Sequence, residues 1–398
     1  MKERAEVELA AWARGLERSS LQEMLTATAR PGIISFALGL PAPEFFPAAD
    51  FSEAAARVLS EDARALQYSP PFEPLKRHVV ELMKRRGVVC RAEQIFLTAG
   101  AQQGMSLLAR LLLDEGRSII TEELIYTGFQ QVVKPFRPRI LTVPTDSETG
   151  MDVEAVSEIL RRGERPAFIY CITDGHNPLS VRLHPSKRAR LVELSEHYGV
   201  PIIEDDAYGF LCYEETEPPL RALGESTVLY AGSFSKILAP ALRVGWVIVP
   251  EEMLLPLSVV KESSDIDTAT FTQRLVTAYL DTGRLESHVE NLRREYRLRR
   301  DTMLRALEEH FPEEARWRKP ESGVFCWVEL ADEFDAFELF RKAIEHERVA
   351  FIPGQAFGVR EGLSHAPSMR LNFSHSAPGL IEEGIPRLAR VLKGSRPR

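Results

Sequence analysis

Between residues 95 and 249 the chain alternates short apolar runs with amphipathic stretches, and this restricts its fold more than any other feature. Runs at 95–98, 118–121, 140–143, 167–172, 201–204, 228–231 and 244–249 have the length of strands. Between them Met105, Leu108, Ala109 and Leu112 recur at helical spacing, as do Ala189, Val192 and His197 ahead of Gly199. Strands that alternate with helices predict an α/β fold, with a mainly parallel sheet sandwiched by helices. Ligands of such sheets bind beyond the carboxyl ends of the strands, so the polar residues that follow each run are where chemistry is expected.

From about residue 285 the pattern changes. A long charged helix is predicted over 285–310, with Val289, Leu292, Tyr296, Met303 and Leu307 as its apolar stripe. Its Arg293, Arg294, Arg297, Arg299 and Arg300 interleave with Glu286, Glu290 and Glu295 and read as a solvated face. Strand candidates at 325–329, 349–352 and 369–373 follow, an α+β pattern that marks a second, smaller domain. Pro41, Pro43 and Pro47 mark a crossing linker, so the first residues are expected to pack with that domain.

Bulk properties exclude several functions. With 58 acidic and 50 basic residues the net charge is −8, which argues against a nucleic-acid partner. No apolar run approaches the ~20 residues that span a bilayer, so no membrane association is expected. Met1 to Glu8 is charged and lacks an apolar signal core. Cys90, Cys171, Cys212 and Cys326 are far apart, without metal-ligand spacing, and read as reduced thiols of a cytoplasmic protein.

The chemistry concentrates after the runs. Ser233-Phe234-Ser235-Lys236 follows the run at 228–231, and Arg243 trails it. Hydroxyls and a guanidinium suit a phosphate, and a lysine beside them can form a Schiff base; together they point to pyridoxal 5′-phosphate. Taken alone, the tetrapeptide fits an ordinary strand-to-loop transition equally well. Asp205 follows the run at 201–204, where an acid can keep a pyridine nitrogen protonated, and Tyr208 can donate to the phenolic oxygen of the same ring. A helix-capping acidic turn is the alternative there. Thr98-Ala99-Gly100-Ala101-Gln102 joins a strand to a helix, where small residues and free N–H groups suit a phosphate. Tyr126 can stack on an aromatic ring or fill a core, and Asn177-Pro178 can donate to the phenolic oxygen or simply turn the chain. Arg370, inside an apolar strand pattern, needs an anion: a substrate carboxylate gripped by two N–H groups, or an internal salt bridge.

Taken together, these residues resemble fold-type I pyridoxal-phosphate enzymes, specifically class I/II aminotransferases of the aminoadipate-type branch. The resemblance runs from Pro31-Gly32-Ile33-Ile34-Ser35-Phe36-Ala37-Leu38-Gly39-Leu40-Pro41 to the strand of Arg370. Its most specific stretch is Gly232-Ser233-Phe234-Ser235-Lys236-Ile237-Leu238-Ala239-Pro240-Ala241-Leu242-Arg243-Val244-Gly245-Trp246, and Pro353-Gly354-Gln355-Ala356-Phe357 adds a second signature. The resemblance implies a large cofactor-binding domain over 48–284 and a small domain over 285–398 with which residues 1–47 pack. It implies that Lys236 carries the cofactor, Asp205 faces the ring nitrogen, Asn177 and Tyr208 contact the phenolic oxygen, and Tyr126 stacks. Gly100, Ala101, Gln102, Ser233, Ser235 and Arg243 are then phosphate ligands, while Arg370, Asn177 and Gly39 meet the substrate. The implied reaction is ping-pong transfer of an amino group between an α-amino acid and a 2-oxo acid. The implied assembly is a homodimer in which Tyr68 reaches the partner subunit's phosphate. Arg14, Arg18, Ser19, Ser20 and Gln22 are expected near the substrate side chain.

Three stretches depart from the family pattern: Asn177-Pro178-Leu179-Ser180 with the preceding Thr173-Asp174-Gly175-His176, the segment after Tyr68, and Glu123-Leu124-Ile125 ahead of Tyr126. The altered loop around His176 and Leu179 leaves open elimination, replacement, cyclisation or carbon–carbon bond formation with the same cofactor; a non-catalytic sensor of it, like the aminotransferase-like domain of some bacterial regulators, is a second alternative.

Overall fold

The computed structural model describes residues 31–359 and 367–395, together with Glu8 and Ala13. Arg14, Arg18, Ser19, Ser20 and Gln22 lie outside the described residues.

A seven-stranded sheet forms the centre. Its strands are β1 (Ile95–Thr98), β2 (Ser118–Glu122), β3 (Arg139–Val143), β4 (Ile169–Cys171), β5 (Ile202–Asp206), β6 (Val228–Ser233) and β7 (Gly245–Ile248). They lie in the order β1-β7-β6-β5-β4-β2-β3. Pairing is parallel from β3 through β6, and β7 runs antiparallel to both β6 and β1. This is the mainly parallel sheet that the alternating pattern predicts. Every residue of β2 and β5 is buried, as a sheet covered on both faces requires. Strand alternation divides the apolar side chains between the two faces. Ile119, Phe168, Tyr170 and Ile203 pack with Met105 and Leu108 on one face, and Ile120, Ile169, Cys171 and Ile202 pack with Leu191 and Val192 on the other. The covering helices include Ala101–Leu112 and Pro185–Tyr198, the latter ended by Gly199 at φ 64°, a left-handed cap suited to glycine.

A second, antiparallel sheet contains β8 (Arg316–Trp317), β9 (Phe325–Glu329), β10 (Ile352–Pro353) and β11 (Ser368–Asn372), in the order β8-β9-β11-β10. The run 349–352, expected as one strand, divides here. Val349–Ala350 pairs in parallel with Ile34–Ser35, while Ile352–Pro353 pairs with β11. The cause is the returning N-terminal segment, which offers its own backbone to Val349–Ala350: Phe36 N–H donates to Ala350 O at 2.8 Å, and Phe36 O accepts from Asn372 N–H at 2.7 Å.

The long helix spans Leu285–His310 and buries Val289, Leu292, Tyr296, Met303 and Leu307. Its arginines correct the expected solvated face, because Arg299 and Arg300 are buried. Arg299 donates to Ser374 O at 2.6 Å and pairs with Glu44, and Arg300 donates to Pro320 O at 2.8 Å. Loop carbonyls that close over the helix supply the acceptors that water would otherwise provide. All four cysteines are free, and Cys171, Cys212 and Cys326 are buried.

Candidate active site

The predicted polar residues converge at the carboxyl ends of the central strands. A cavity of about 650 Å³ is lined by Gly39, Ala101, Gln102, Tyr126, Asn177, Asp205, Tyr208, Ser233, Ser235, Lys236, Arg243 and Arg370. A larger cavity of about 910 Å³, beside β8, contains none of them, so size does not mark the site.

Each side chain is placed by a local device. The turn after β6 carries Lys236, whose Nζ donates to Gly39 O at 2.7 Å. Burial, with the Arg370 and Arg243 guanidinium groups nearby, pushes its pKa down to about 8. Asp205, on β5, is 4% exposed. Burial raises its pKa to about 6, against the hydrogen bond from Tyr170. Tyr170 Oη donates to Asp205 Oδ2 at 2.9 Å, while Oδ1 is buried and has no partner among the described residues. Tyr170 itself stacks on Phe129, with ring centroids 3.6 Å apart. Burial holds the Tyr208 phenol well above its usual pKa, so it remains a proton donor.

The phosphate-type residues lie at the N-terminus of the helix Ala101–Leu112, whose cap residue is Gly100 at φ 89°. A Cβ at Gly100 would sit 2.8 Å from Arg243 Nη2, so glycine permits both the turn and the close approach. Arg243 Nη2 donates to Ala99 O at 2.7 Å, and Ser233 Oγ donates to Ser235 Oγ at 2.9 Å. Gln102 Nε2 donates to Gly128 O at 2.8 Å, leaving the buried Oε1 unpaired among the described residues.

Arg370, on β11, donates from Nη1 to Asn177 Oδ1 and from Nη2 to Ala37 O, both at 2.7 Å. Its guanidinium lies between the Phe325 and Phe357 rings, 4.0 and 4.7 Å from their centroids. Burial lowers its pKa to about 10, so it stays charged near neutrality. Among the described residues it has no carboxylate partner. The internal salt bridge, one of its two sequence readings, is absent there, which leaves the charge open to an anion from outside.

Tyr68 is not brought to this cavity; its side chain is 82% exposed. Two contributors escaped the sequence reading. Tyr170 was hidden in an apolar run, and only its pairing with β5 reveals the contact with Asp205. Gly128 looks like any glycine, yet a Cβ there would lie 2.3 Å from the Tyr126 ring.

These residues fit pyridoxal phosphate. The unpaired Asp205 Oδ1 could accept a ring N–H, the glycine-capped helix terminus could receive a phosphate, and Lys236 could supply the amine. No cluster suited to a metal occurs among the described residues.

Comparison with known proteins agrees. The family model for aminotransferases of class I and II matches residues 36–388. The chain is 40% identical to the 2-aminoadipate transaminase of Thermus thermophilus over 387 residues, 95% of each chain. Its backbone matches the Pyrococcus horikoshii kynurenine aminotransferase, solved with PMP, at a TM-score of 0.92 with 34% identity and 98% coverage of both chains. It also matches the α-aminoadipate aminotransferase of Thermus thermophilus, complexed with N-(5′-phosphopyridoxyl)-L-leucine, at 0.89, 38% identity and 97% coverage of both. The names of these relatives do not favour the alternative chemistries.

Proposed function

The chain belongs to the class I and II aminotransferases and transfers amino groups with pyridoxal phosphate; on that premise we propose that the cavity at Lys236 is the active site and that its residues divide the work as follows. The cofactor supplies an aldehyde that takes up the amino group and a ring that accepts electrons released at the substrate Cα. Lys236 carries the cofactor between turnovers. Its Nζ, a base near neutral pH, takes the Cα proton of the bound amino acid and later returns a proton, a step worth about 10²–10⁴-fold. Asp205 Oδ1 accepts the ring N–H, Tyr208 and Asn177 meet the phenolic oxygen, and Tyr126 stacks on the ring. Gly100, Ala101, Gln102, Ser233, Ser235 and Arg243 hold the phosphate. Arg370 turns its fork to the α-carboxylate of the amino acid and then of the 2-oxo acid, and Gly39 lines the same end.

One observation carries this reading: Asp205, which keeps a buried oxygen without a partner, lines the same cavity as Lys236 and an arginine that has no carboxylate partner among the described residues. The test is a half-reaction, with amino acid and no acceptor. One oxo acid should form per loaded subunit and then stop, and turnover should resume when a 2-oxo acid is added. Continuous product release without an acceptor contradicts transamination.

A homodimer is part of this reading. Tyr68, outside its own cavity, is then the ligand of the partner subunit's phosphate, and the exposed Leu66, Leu255, Val259 and Ile266 are covered by the second copy. We take 48–284 as the cofactor-binding domain and 285–398, with residues 1–47, as the smaller one. A cytoplasmic location is supported by the four free cysteines. No helix among the described residues is long and apolar enough to cross a membrane. With an acidic balance, nucleic acid has no part in this function.

A further inference from the structure

Asp205 stands between two other acids, Glu204 and Asp206, and all three are buried. Alternation along β5 turns Asp205 to the cavity and its neighbours to the opposite face. Like charges this close oppose ionisation, so something on the far face must offset them. Glu204 accepts from Thr173 Oγ1 at 2.9 Å and from the N–H groups of Leu220 and Arg221 at 2.7 and 2.9 Å; no cation pairs with it among the described residues. Asp206 is handled differently. Its Oδ1 accepts from Gly209 N–H at 2.7 Å, and its Oδ2 accepts from Tyr230 Oη at 2.8 Å and from Arg86 Nη2 at 3.2 Å. Among the described residues Arg86 is its cationic partner.

Arg86 is 6% exposed and lies over the Phe210 ring. Its Nη2 also reaches Asp174 Oδ2 at 3.0 Å. Asp174 does not depend on it, because Arg188 and Arg182 lie 2.8 and 3.1 Å from Asp174 Oδ1. Removing the Arg86 charge therefore leaves Asp206, not Asp174, without a cation.

We propose that Arg86 is a positioning residue for the cofactor: by pairing with Asp206 behind the sheet, it keeps the carboxylate of Asp205 anionic in front of it. The proposal rests on the reading of Asp205 as the partner of the ring nitrogen. The other groups that act on Asp205 are Tyr170 from β4, His176 and Tyr208 from neighbouring loops, Tyr126 and Lys236. Asp206 raises its pKa, whereas Tyr170, Lys236 and His176 lower it. A lowered Asp205 pKa extends cofactor binding to lower pH, because the anion is what accepts the ring N–H.

The experiment measures uptake of pyridoxal phosphate by the full-length apo-protein as a function of pH, from the absorbance of the bound form. Wild-type affinity should fall as pH drops through about 6, where Asp205 takes up a proton. In Arg86→Met the fall should move up by about one pH unit, with about twofold weaker binding at pH 7 and close to tenfold weaker binding at about pH 5. Asp206→Asn should move it down, and the double variant should return it towards wild type. A purely structural role for Arg86 predicts weaker binding at every pH, no displacement of the fall and no rescue by Asp206→Asn; that result overturns the proposal. If Arg86→Met does not fold, Asp206→Asn alone decides: an unmoved fall overturns the proposal, and a downward shift supports it. Asp205→Asn separates the two levels. It should abolish the fall. If the fall persists in Asp205→Asn, the assigned role of Asp205 fails, and the proposal fails with it. If Asp205→Asn abolishes it and Arg86→Met leaves it in place, only the proposal fails.

Discussion

Gly128→Ala separates folding from function at this site. Gly128 lies in the helix Thr127–Val133, where alanine is favoured over glycine by about 0.5–1 kcal/mol. Its added methyl group would lie 2.3 to 2.5 Å from three atoms of the Tyr126 phenol, Cζ, Cε1 and the hydroxyl Oη. Carbon atoms rest about 3.5–4.0 Å apart, so the ring must retreat by about 1 Å or more. The ring is the mobile end of its side chain and borders the cavity, so it can move without disturbing the core. The melting temperature should therefore stay level or rise slightly. The cofactor loses its stacking partner, an interaction worth about 1 kcal/mol, or about fivefold in Kd. A reacting centre displaced by about 1 Å loses up to about 10²-fold in turnover. Calorimetry, cofactor titration and kcat/KM on one preparation read all three quantities. A folded Gly128→Ala protein with unchanged cofactor affinity and unchanged kcat/KM would refute the placement of Tyr126 against the cofactor.

Tyr170→Phe removes the hydrogen bond to Asp205 Oδ2 and should cost about 1 kcal/mol of stability by denaturant titration. It should also move the acid-side loss of cofactor binding to higher pH, because Tyr170 lowers the pKa of Asp205. Arg370→Lys keeps a cation but not the planar fork. The KM for amino acids should rise about 10–100-fold, more than kcat falls, as loss of a charge-assisted pair requires. Cofactor attachment to the apo-protein needs the unprotonated amine of Lys236. Its rate, followed by stopped-flow absorbance, should climb as pH rises through about 8 and level off above; a rate flat from pH 6 to 10 contradicts the depressed pKa.

The central sheet was legible because most of its strands are buried on both faces and stand out as apolar runs, the half-buried edge strand β3 being the exception. β2 and β5 each extend slightly past the predicted run, ending in Glu122 and in Asp205–Asp206, since buried polar residues continue the ladder where hydropathy stops. Two-residue strands such as Ile34–Ser35 and Arg316–Trp317 are too short to leave a periodic signature, and they exist because distant segments offer backbone partners. The same holds at the site. Lys236, Asp205 and Arg370 were found because a lysine between hydroxyls, an acid at a strand end and an arginine in an apolar strand are each anomalous locally. Tyr170, Gly128 and Arg86 are locally unremarkable. Their importance lies in what the fold brings to them: the Asp205 carboxylate, the Tyr126 ring and the Asp206 carboxylate. Arg299 and Arg300 show the converse, because charges that look solvated on a helical wheel meet loop carbonyls contributed from elsewhere.

Borohydride reduction of the protein loaded with pyridoxal phosphate, followed by peptide mass mapping, tests the central claim most directly. The account predicts one reduced cofactor per chain, on the peptide that contains Lys236, and none in Lys236→Ala. A label on another lysine, or no label on a protein that remains yellow, would contradict it.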